Sequence, residues 1–341
     1  MFCPGQSTST SIAVCTSVGF SQLRAEHYDN AADRLRPDVY SSLVDLVTAD
    51  RISKKRIEKS ADRTHAWLRD TLGMGERNQR TGLKLFASIP PLEPQQQSVF
   101  LSELANDFKP NLAGLCVYSP ETVPTLPQEL QSLPCLCIDD PKTPHAVLKA
   151  VMLGVDLLTV PFVTRTSEHG LALSFEFPVL CEAKEQPLAF DLWSTSNATD
   201  LSPLTPGCNC YTCTRHHRAY LHHLLQAKEM LAWTLLQIHN YSIMDAFFDN
   251  IRISIENNTL HKNAHAFNRA YQSEMPPQTG LGPRIRGYQT KSIGSGEQKK
   301  NPKAYGRLDD QLQRLAEAHD GVATPDDNAR ELEEHGFATK Q

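Results

Sequence analysis

The sequence predicts an α/β fold of the TIM-type (β/α)8 barrel class, incomplete at its amino-terminal end, with a zinc-binding subdomain towards its carboxyl end. Three observations lead to this prediction. Short, almost wholly apolar strand-like runs alternate with helical segments in the first half of the chain, which is typical of a parallel sheet covered by helices. None of these runs is followed by a glycine-rich phosphate loop, so a nucleotide-binding doubly wound sheet is disfavoured. Three cysteines lie within six residues in the second half, a spacing typical of a metal site.

The alternating segments are read from hydrophobic periodicity and from the Gly and Pro residues that punctuate them. The predicted strands cover residues 39–47, 83–89, 113–118, 135–138 and 155–161. The predicted helices cover residues 21–35, 57–72, 95–108 and 144–153. An eight-stranded barrel needs more strands than these, so we expect the opening strands to be missing and one sheet edge to be open.

The second half of the chain is less regular. Residues 171–177 alternate between apolar and other side chains and predict a further strand, whereas the polar stretch 182–205 predicts a surface loop. Residues 218–254 are apolar at helical spacing, and a break is expected within 224–229. The stripe on this helical region is predicted to be core; its members are Leu231, Leu235, Ile238 and Phe247.

These patterns divide the chain into three predicted regions. Residues 1–205 form a partial barrel, residues 206–272 a zinc-binding subdomain with its helices, and residues 273–341 a largely disordered tail with short helices. The tail is rich in Pro, Gly, Ser and Gln, a composition that buries little apolar surface. Its segment 284–307 carries seven Lys or Arg against one Glu, which could contact RNA phosphates but is more often simply solvated.

Composition restricts the classes of function. The net charge of −5 gives no general attraction to nucleic acid, so any RNA contact has to come from local patches or from a partner. The chain has neither a signal-peptide pattern nor an apolar run of membrane-spanning length. We therefore expect a cytoplasmic protein without a membrane-spanning segment.

Cys208, Cys210 and Cys213 are the strongest candidates for metal ligands. Gly207 and Asn209 beside them allow the tight backbone that turns three sulfurs towards one point. Adjacent Cys-x-Cys pairs bridge poorly as disulfides. Three thiolates and one imidazole make a closed tetrahedral zinc site, which stabilises a fold and leaves no open position for chemistry.

Spacing alone leaves the fourth ligand open between His239 and the nearer His216 or His217. An unbroken helix from Thr214 to His239 would be about 37 Å long. His239 can therefore reach the metal only if the helix breaks and doubles back. The alternative is that His216 or His217 closes the site locally while His239 caps a helix.

The cysteine cluster is followed by Arg-Ala-Tyr-Leu-His-His-Leu at residues 218–224 and by Leu-Gln-Ile-His-Asn at 236–240. Together these motifs resemble the zinc subdomain of the tRNA-guanine transglycosylases, and the resemblance extends over about residues 19–271. It implies a (β/α)8 barrel with a zinc subdomain near its carboxyl end. It also implies that His239 is the fourth ligand, because in that family the histidine before the Asn binds the metal.

A second stretch, residues 154–170, resembles the segment that carries the family's catalytic nucleophile. In the family this nucleophile is an aspartate that attacks the ribose. Here Thr159 occupies its position, and Asp156 is kept three residues earlier. A threonine hydroxyl with no adjacent base is a poor nucleophile. The family's other catalytic carboxylate belongs to an Asp-Ser-Gly-Gly-like motif, whereas this chain contains no Gly-Gly pair.

These departures resemble the noncatalytic, accessory branch of the family in eukaryotes. The resemblance implies one Zn²⁺ per subunit, a heterodimer with a catalytic queuine tRNA-ribosyltransferase subunit, and contact with tRNA through that complex. The complex would exchange guanine for queuine at the wobble position of tRNAs for Asp, Asn, His and Tyr. Family dimers meet around the zinc subdomain, so the apolar helix at residues 230–248 is the expected contact.

An active enzyme is the competing hypothesis. A zinc-stabilised barrel hydrolase or transferase could use Asp156, or the adjacent pair Asp139 and Asp140 at the carboxyl end of a predicted strand. Adjacent acids at such a position more often cap the helix that follows.

Overall fold

The computed structural model describes residues 7–16, 19–47, 53–77, 84–179 and 185–283. Almost all of them belong to one compact unit, Met1–Cys15 with Phe20–Arg286, while the second unit, Thr16–Gly19 with Gly287–Gln341, lies mostly outside these ranges. The strands are β1 Ser11–Thr16, β2 Gly19–Arg24, β3 Val39–Ser41, β4 Lys84–Ile89, β5 Gly114–Val117, β6 Cys135–Cys137, β7 Leu157–Leu158, β8 Leu171–Leu173 and β9 Ala189–Asp191. The helices are α1 Ala25–Leu35, α2 Lys54–Arg77, α3 Ser98–Glu103, α4 Pro144–Met152, α5 Pro161–Glu168, α6 Tyr211–Arg215, α7 Arg218–Gln226, α8 Met230–Glu256 and α9 Leu260–Ala270.

Strands β3 to β7 form a five-stranded parallel sheet in the order β3-β4-β5-β6-β7. The order follows the chain without reversal, as it does around a barrel, whereas a doubly wound sheet reverses its order at a switch point. The alternation of strands and helices predicted from sequence is thus confirmed, and the fold is mixed α/β with a barrel-type parallel sheet.

One face of this sheet packs against α2, α3 and α4 and forms the first core. Alternate residues along each strand face the same side, which is why Leu85, Ala87 and Ile89 on β4 share this core with their neighbours on β5 and β6. The other members from those strands are Leu115, Val117, Cys135 and Cys137, and the helices add Leu68, Phe100, Leu104 and Ala150. The apolar runs in the sequence therefore report buried strands correctly.

Several predicted strands are shorter in the structure. The run 39–47 is a strand only at Val39–Ser41, because the backbone then turns to bind α2. Asp45, whose side chain is 4% exposed, forms ion pairs with Arg56 and Arg63 at 2.6 and 2.9 Å, and its N–H donates to Thr64 Oγ1 at 3.1 Å. Residues 155–161 form a strand only at Leu157–Leu158, since Pro161 starts α5.

Three other predictions from periodicity need correction. The predicted helix 21–35 begins as strand β2 and turns helical only at Ala25. The predicted helix 95–108 is α3 followed by one π-helical turn at Leu104–Phe108. The expected surface loop 182–205 contains β9, which pairs with β8, and buries Leu188, Leu192 and Leu204. Its apolar residues are too widely spaced for a periodic signal.

A second core lies where α5, α8 and α9 surround β8. Aromatic rings dominate it: Phe175 makes edge-to-face contacts with Phe247 at 5.3 Å and with Phe267 at 5.7 Å between ring centroids. Such pairs stabilise beyond the area they bury. Among the described residues, no helix combines the length and apolar character that crossing a membrane requires.

Helix α8 buries one side and exposes the other. Leu235 and Phe247 are 1% and 2% exposed, as predicted, but Leu231 and Ile238 are 46% and 40% exposed. Residues seven apart lie almost in line on a helix, so Leu231 and Ile238 share a face with Thr234 and Tyr241. The other described elements leave that face partly exposed to solvent. The prediction that the whole stripe is core is therefore wrong for Leu231 and Ile238.

The segment that follows α9, residues 272–283, packs as a strap on the β8–β9 hairpin. The Gln272 N–H donates to the Gln186 carbonyl at 2.9 Å, and Thr279 Oγ1 donates to Asp191 Oδ2 at 2.6 Å. Gly280 lies against the Trp193 indole. The expectation of a loosely held tail from residue 273 does not describe this strap; the remainder, residues 284–341, lies outside the described residues.

The packing of Gly280 against Trp193 can be tested by mutation. A β-carbon at position 280 would lie 2.1 Å from Trp193 Cε2, so Gly280→Ala should displace either the strap or the indole and lower the free energy of unfolding by about 1–3 kcal/mol. Thermal unfolding and tryptophan fluorescence would measure this. Gly282→Ala is the matched control for the loss of a glycine in the same strap, since its β-carbon would lie 3.5 Å from the nearest atom, the Glu168 carbonyl oxygen, which is an ordinary contact. Equal stability of wild type and Gly280→Ala would contradict the packing.

Candidate metal centre

The three cysteine sulfurs and one imidazole nitrogen converge on one point. The ligand atoms of Cys208, Cys210, Cys213 and His239 all lie within 4.8 Å of one another. His239 Nδ1 is 3.7, 3.6 and 3.4 Å from the three Sγ atoms in chain order. A tetrahedron with Zn–S of about 2.3 Å and Zn–N of about 2.0–2.1 Å has N···S edges of about 3.6 Å. The donor set and its spacing therefore fit a tetrahedral Zn²⁺.

The cysteines are placed by a tight turn and a short helix. Gly207 has φ +78°, in the left-handed region that glycine adopts without strain, and the Cys208 N–H donates to the Thr205 carbonyl at 3.2 Å. Cys210 caps the amino end of α6, where its Sγ accepts the Cys213 N–H at 3.4 Å. The turn predicted around Gly207 thus aims the sulfurs inward.

Helix α8 brings His239 to the sulfurs. The chain breaks between α7 and α8, with Lys228 in the left-handed region at φ 56°, as predicted for residues 224–229. Helix α8 then packs against both α6 and α7. His239 is fully buried, and its Nε2 lies 3.0 Å from the Leu173 carbonyl oxygen. We assign the tautomer from this hydrogen bond: Nε2–H donates, and Nδ1 keeps its lone pair towards the sulfurs.

The structure does not bring the nearer histidines to the cluster. His217 Nδ1 accepts the Tyr220 N–H at 3.1 Å and so caps α7. His216 stacks on Tyr220, with ring centroids 5.0 Å apart. The local alternative for the fourth ligand is therefore disfavoured by geometry.

Burial sets the protonation of these groups when no cation is bound. It raises the pKa of the Cys210 thiol, raises the pKa of Cys213 to about 12 and lowers the pKa of His239. The neutral forms of Cys210, Cys213 and His239 are thus favoured in the absence of a cation. A divalent cation reverses this preference for the thiols, so its binding requires the release of thiol protons.

A Cys₃His set fills the four positions of tetrahedral zinc with protein donors. Catalytic zinc sites instead keep one position for water or substrate. The arrangement can therefore hold α6, α8 and β8 together, but it offers no position at which a substrate could be activated.

Two of the three aspartates of the competing hypothesis, Asp156 and Asp140, make structural contacts through their side chains. Asp156 Oδ2 accepts the Cys135 N–H at 2.8 Å, which ties the start of β7 to β6. Asp140 pairs with Arg165 at 2.5 Å, and this hydrogen bond holds the pKa of Asp140 below its usual range. A low pKa is the opposite of what a general acid requires. These contacts do not favour the alternative enzyme.

Thr159, at the position of the family nucleophile, is also engaged. Its Oγ1 donates to the Asp139 carbonyl at 2.5 Å across the ends of β6 and β7. The hydroxyl proton is directed at a backbone oxygen and not at a base that could remove it. The basic segment 284–307, the other candidate contact for RNA, lies outside the described residues.

Sequence reasoning missed two buried polar residues beside the ligands. Thr212 Oγ1 donates to the Leu235 carbonyl at 2.7 Å, and Asn240 bonds the backbone of β8. Their position in the sequence could have indicated them, since Thr212 lies between Cys210 and Cys213 and Asn240 directly follows His239.

Fold and site together define a barrel-type α/β protein with a candidate structural metal centre. A family model described as Queuine tRNA-ribosyltransferase matches residues 3–273. The chain belongs to this family, which confirms the resemblance drawn from the cysteine and histidine motifs.

Curated relatives share a more specific name, "Queuine tRNA-ribosyltransferase accessory subunit 2". The chain is 35% identical to the one from Schizosaccharomyces pombe over 285 residues, 82% of this chain and 64% of that protein. It is 30% identical to the one from Anopheles gambiae over 294 residues, 80% and 67% respectively, and 31% identical to the one from Drosophila melanogaster over 261 residues, 72% and 62%. The chain thus spans about two thirds of the length of these relatives.

The candidate centre predicts a specific pattern of metal loss. Cys213→Ser and His239→Ala should each reduce bound zinc from about one per chain to near zero and lower the melting temperature, because a structural site contributes folding free energy. Elemental analysis and thermal unfolding of the purified protein would measure both effects.

His216→Ala is the matched control, since it removes a histidine near the cysteines that does not reach the cluster. It should keep its zinc. Metal loss in His216→Ala together with retention in His239→Ala would overturn the ligand assignment.

Proposed function

We propose that this protein is a noncatalytic accessory subunit of a queuine tRNA-ribosyltransferase. In that role it supports the exchange of guanine for queuine at the wobble position of tRNAs for Asp, Asn, His and Tyr, in the cytoplasm. One observation carries the noncatalytic assignment: at the position of the family's nucleophilic aspartate, the hydroxyl of Thr159 is bound to the Asp139 carbonyl. The names of the relatives support the accessory role.

The chemistry of base exchange supports the same conclusion. An oxocarbenium-like centre needs a carboxylate to attack or stabilise it, and a neutral hydroxyl supplies no charge. Arg165, which lies in the segment 154–170 that resembles the family's nucleophile segment, is already paired with Asp140. Contact with tRNA is therefore made chiefly through the catalytic partner.

Family membership also supports the predicted domain organisation of this chain. The parallel sheet β3 to β7 is part of a (β/α)8 barrel in residues 1–205, and residues 206–272 form the zinc subdomain. Cys208, Cys210, Cys213 and His239 hold one Zn²⁺, which cross-links α6 to α8. The ion contributes stability and orders the surrounding surface, and it takes no part in the reaction.

The exposed face of α8 is the proposed contact with the catalytic subunit. Leu231, Ile238 and Tyr241 lie on one side of the helix and are 46%, 40% and 39% exposed. An apolar row of this kind on a helix in solution is typical of an interaction site. It lies within residues 230–248, and because consecutive residues are about 100° apart on a helix, Ile238 lies about a quarter turn around α8 from His239.

Aromatic side chains beside the cysteine cluster extend the candidate contact surface. Tyr211 is 58% exposed, and its ring meets His216 edge-on at 5.8 Å, while His216 stacks on Tyr220. Aromatic residues are enriched in protein interfaces and in their energetic centres. Because Tyr211 belongs to α6, an ion bound by the cysteines would hold this ladder in place.

The proposed function is tested by reconstitution. We expect guanine exchange into tRNA only when this chain is co-purified with a catalytic subunit, because neither family carboxylate is present here. Incorporation of labelled base into tRNA, measured for each subunit alone and for the mixture, would check this. Robust exchange by this chain alone would refute the noncatalytic assignment.

Thr159→Asp serves as a control in the same assay. The new carboxylate would face the Asp139 carbonyl, and the second catalytic carboxylate would still be missing, so the isolated chain should remain inactive. Exchange by this variant alone would mean that the rest of a catalytic site is intact.

The contact surface is tested by charge insertion. Ile238→Asp should weaken association with the catalytic subunit at least tenfold, since it buries a carboxylate in an apolar contact. Affinity measured by calorimetry or light scattering would detect this change.

Ile255→Asp is the matched control, because Ile255 lies on the same helix with 49% exposure but outside residues 230–248. It should bind normally. Equal affinities for the two variants would show that the α8 face is not the contact. Weakening by a chelator, reversed by zinc, would support the role of the ion in ordering the surface.

A further inference from the structure

Asn240, the residue after the histidine ligand, is fully buried and makes three hydrogen bonds. Its Oδ1 accepts the Leu173 N–H at 2.8 Å. Its Nδ2 donates to the Leu171 carbonyl at 3.0 Å and to Ser167 Oγ at 2.9 Å. A side chain buried so completely, with every bond directed at one strand and the helix before it, has a defined structural role.

The Asn240 side-chain amide bonds the edge of β8 that does not face β9. On its other edge β8 pairs with β9, where the Leu192 N–H donates to the Gly170 carbonyl and the Ser174 N–H donates to the Leu188 carbonyl. Backbone groups of alternate residues point to opposite edges of a strand, so those of Leu171 and Leu173 face α8. Among the described strands only β9 pairs with β8, so Asn240 takes the place of a neighbouring strand on the other edge.

Leu173 is held from both sides by consecutive residues of α8. Asn240 binds its N–H, and His239 Nε2 donates to its carbonyl oxygen at 3.0 Å. The carbonyl that fixes the tautomer and orientation of the imidazole is thus fixed by the neighbouring amide. Outer partners of this kind set the orientation and basicity of a metal-bound histidine.

We propose that Asn240 is a positioning residue for the metal: by clamping the Leu173 peptide, it directs His239 Nδ1 at the three sulfurs. This inference rests on the proposed zinc site and adds to it a residue that binds no metal. Thr212 completes the arrangement on the cysteine side, because its bond to the Leu235 carbonyl attaches α6 to α8 one turn before His239. The cysteines on α6 and the histidine are then both positioned by α8 before the ion binds.

The test uses Co²⁺ as a spectroscopic probe of the metal-free protein. Asn240→Asp keeps an acceptor for the Leu173 N–H but cannot donate to the Leu171 carbonyl, and Asn240→Leu removes all three bonds. Both variants should bind Co²⁺ about 10–100-fold more weakly than wild type. Their visible absorption bands should also shift or lose intensity, because the imidazole no longer completes a regular tetrahedron.

Ser167→Ala is the matched control. It removes one partner of Nδ2 and leaves the clamp on β8 intact, so its Co²⁺ affinity should stay within about twofold of wild type with an unchanged spectrum. Phe247→Leu, a core change two turns along α8, controls for a general loss of stability and should also keep the spectrum.

The outcomes separate the two proposals. A wild-type protein that binds no Co²⁺ or Zn²⁺ refutes the metal site, and the inference with it. Wild-type binding with unchanged affinity and spectrum in both Asn240 variants refutes the inference alone. Should both variants fail to fold, the ¹⁵N spectrum of the metal-free wild-type imidazole decides: an Nε2–H tautomer of His239 supports the clamp, and an Nδ1–H tautomer overturns it.

Discussion

The packing of α8 against both α6 and β8 is the constraint on which the rest of this structure depends. The 27-residue helix follows a backbone reversal at Lys228 and buries one side from Ala232 to Ser254. That side supplies His239 to the sulfurs, Asn240 to β8 and Phe247 to the aromatic core. Without this packing the three cysteines would have no fourth donor, and β8 would have an unpaired edge.

The cluster couples this packing to a cation through simple electrostatics. Burial favours the neutral forms of the Cys210 and Cys213 thiols and of the His239 imidazole, so these donors can lie together without charge repulsion. A divalent ion then displaces the thiol protons and cross-links the elements that carry the ligands. Because the protein can supply a donor at all four positions of the tetrahedron, a bound ion would stabilise the fold and leave no position for a substrate.

At the carboxyl ends of β6 and β7, polar side chains bond neighbouring elements of the chain. Substrates of barrel enzymes bind at that edge of the sheet, where free carboxylates and hydroxyls would be expected. Here Thr159 bonds a neighbouring backbone carbonyl and Asp140 pairs with Arg165, while Asp156 bonds the Cys135 N–H at the opposite, amino-terminal end of β6 and β7. Side chains that could act on a substrate instead hold adjacent strands together, which is compatible with the proposed role in assembly.

The sequence by itself determined the alternation of strands and helices, the turn at Gly207, the break before α8 and the candidate ligands, because each depends on residues close in the chain. Spacing left the fourth ligand open and the family resemblance implied His239; the tertiary structure brings His239 to the cysteines by a helix that doubles back over 26 residues. It also decided that Leu231 and Ile238 are exposed while Leu188 and Leu204 are buried. Periodicity shows that a segment has an apolar side, but only the packing of distant elements determines whether that side is covered.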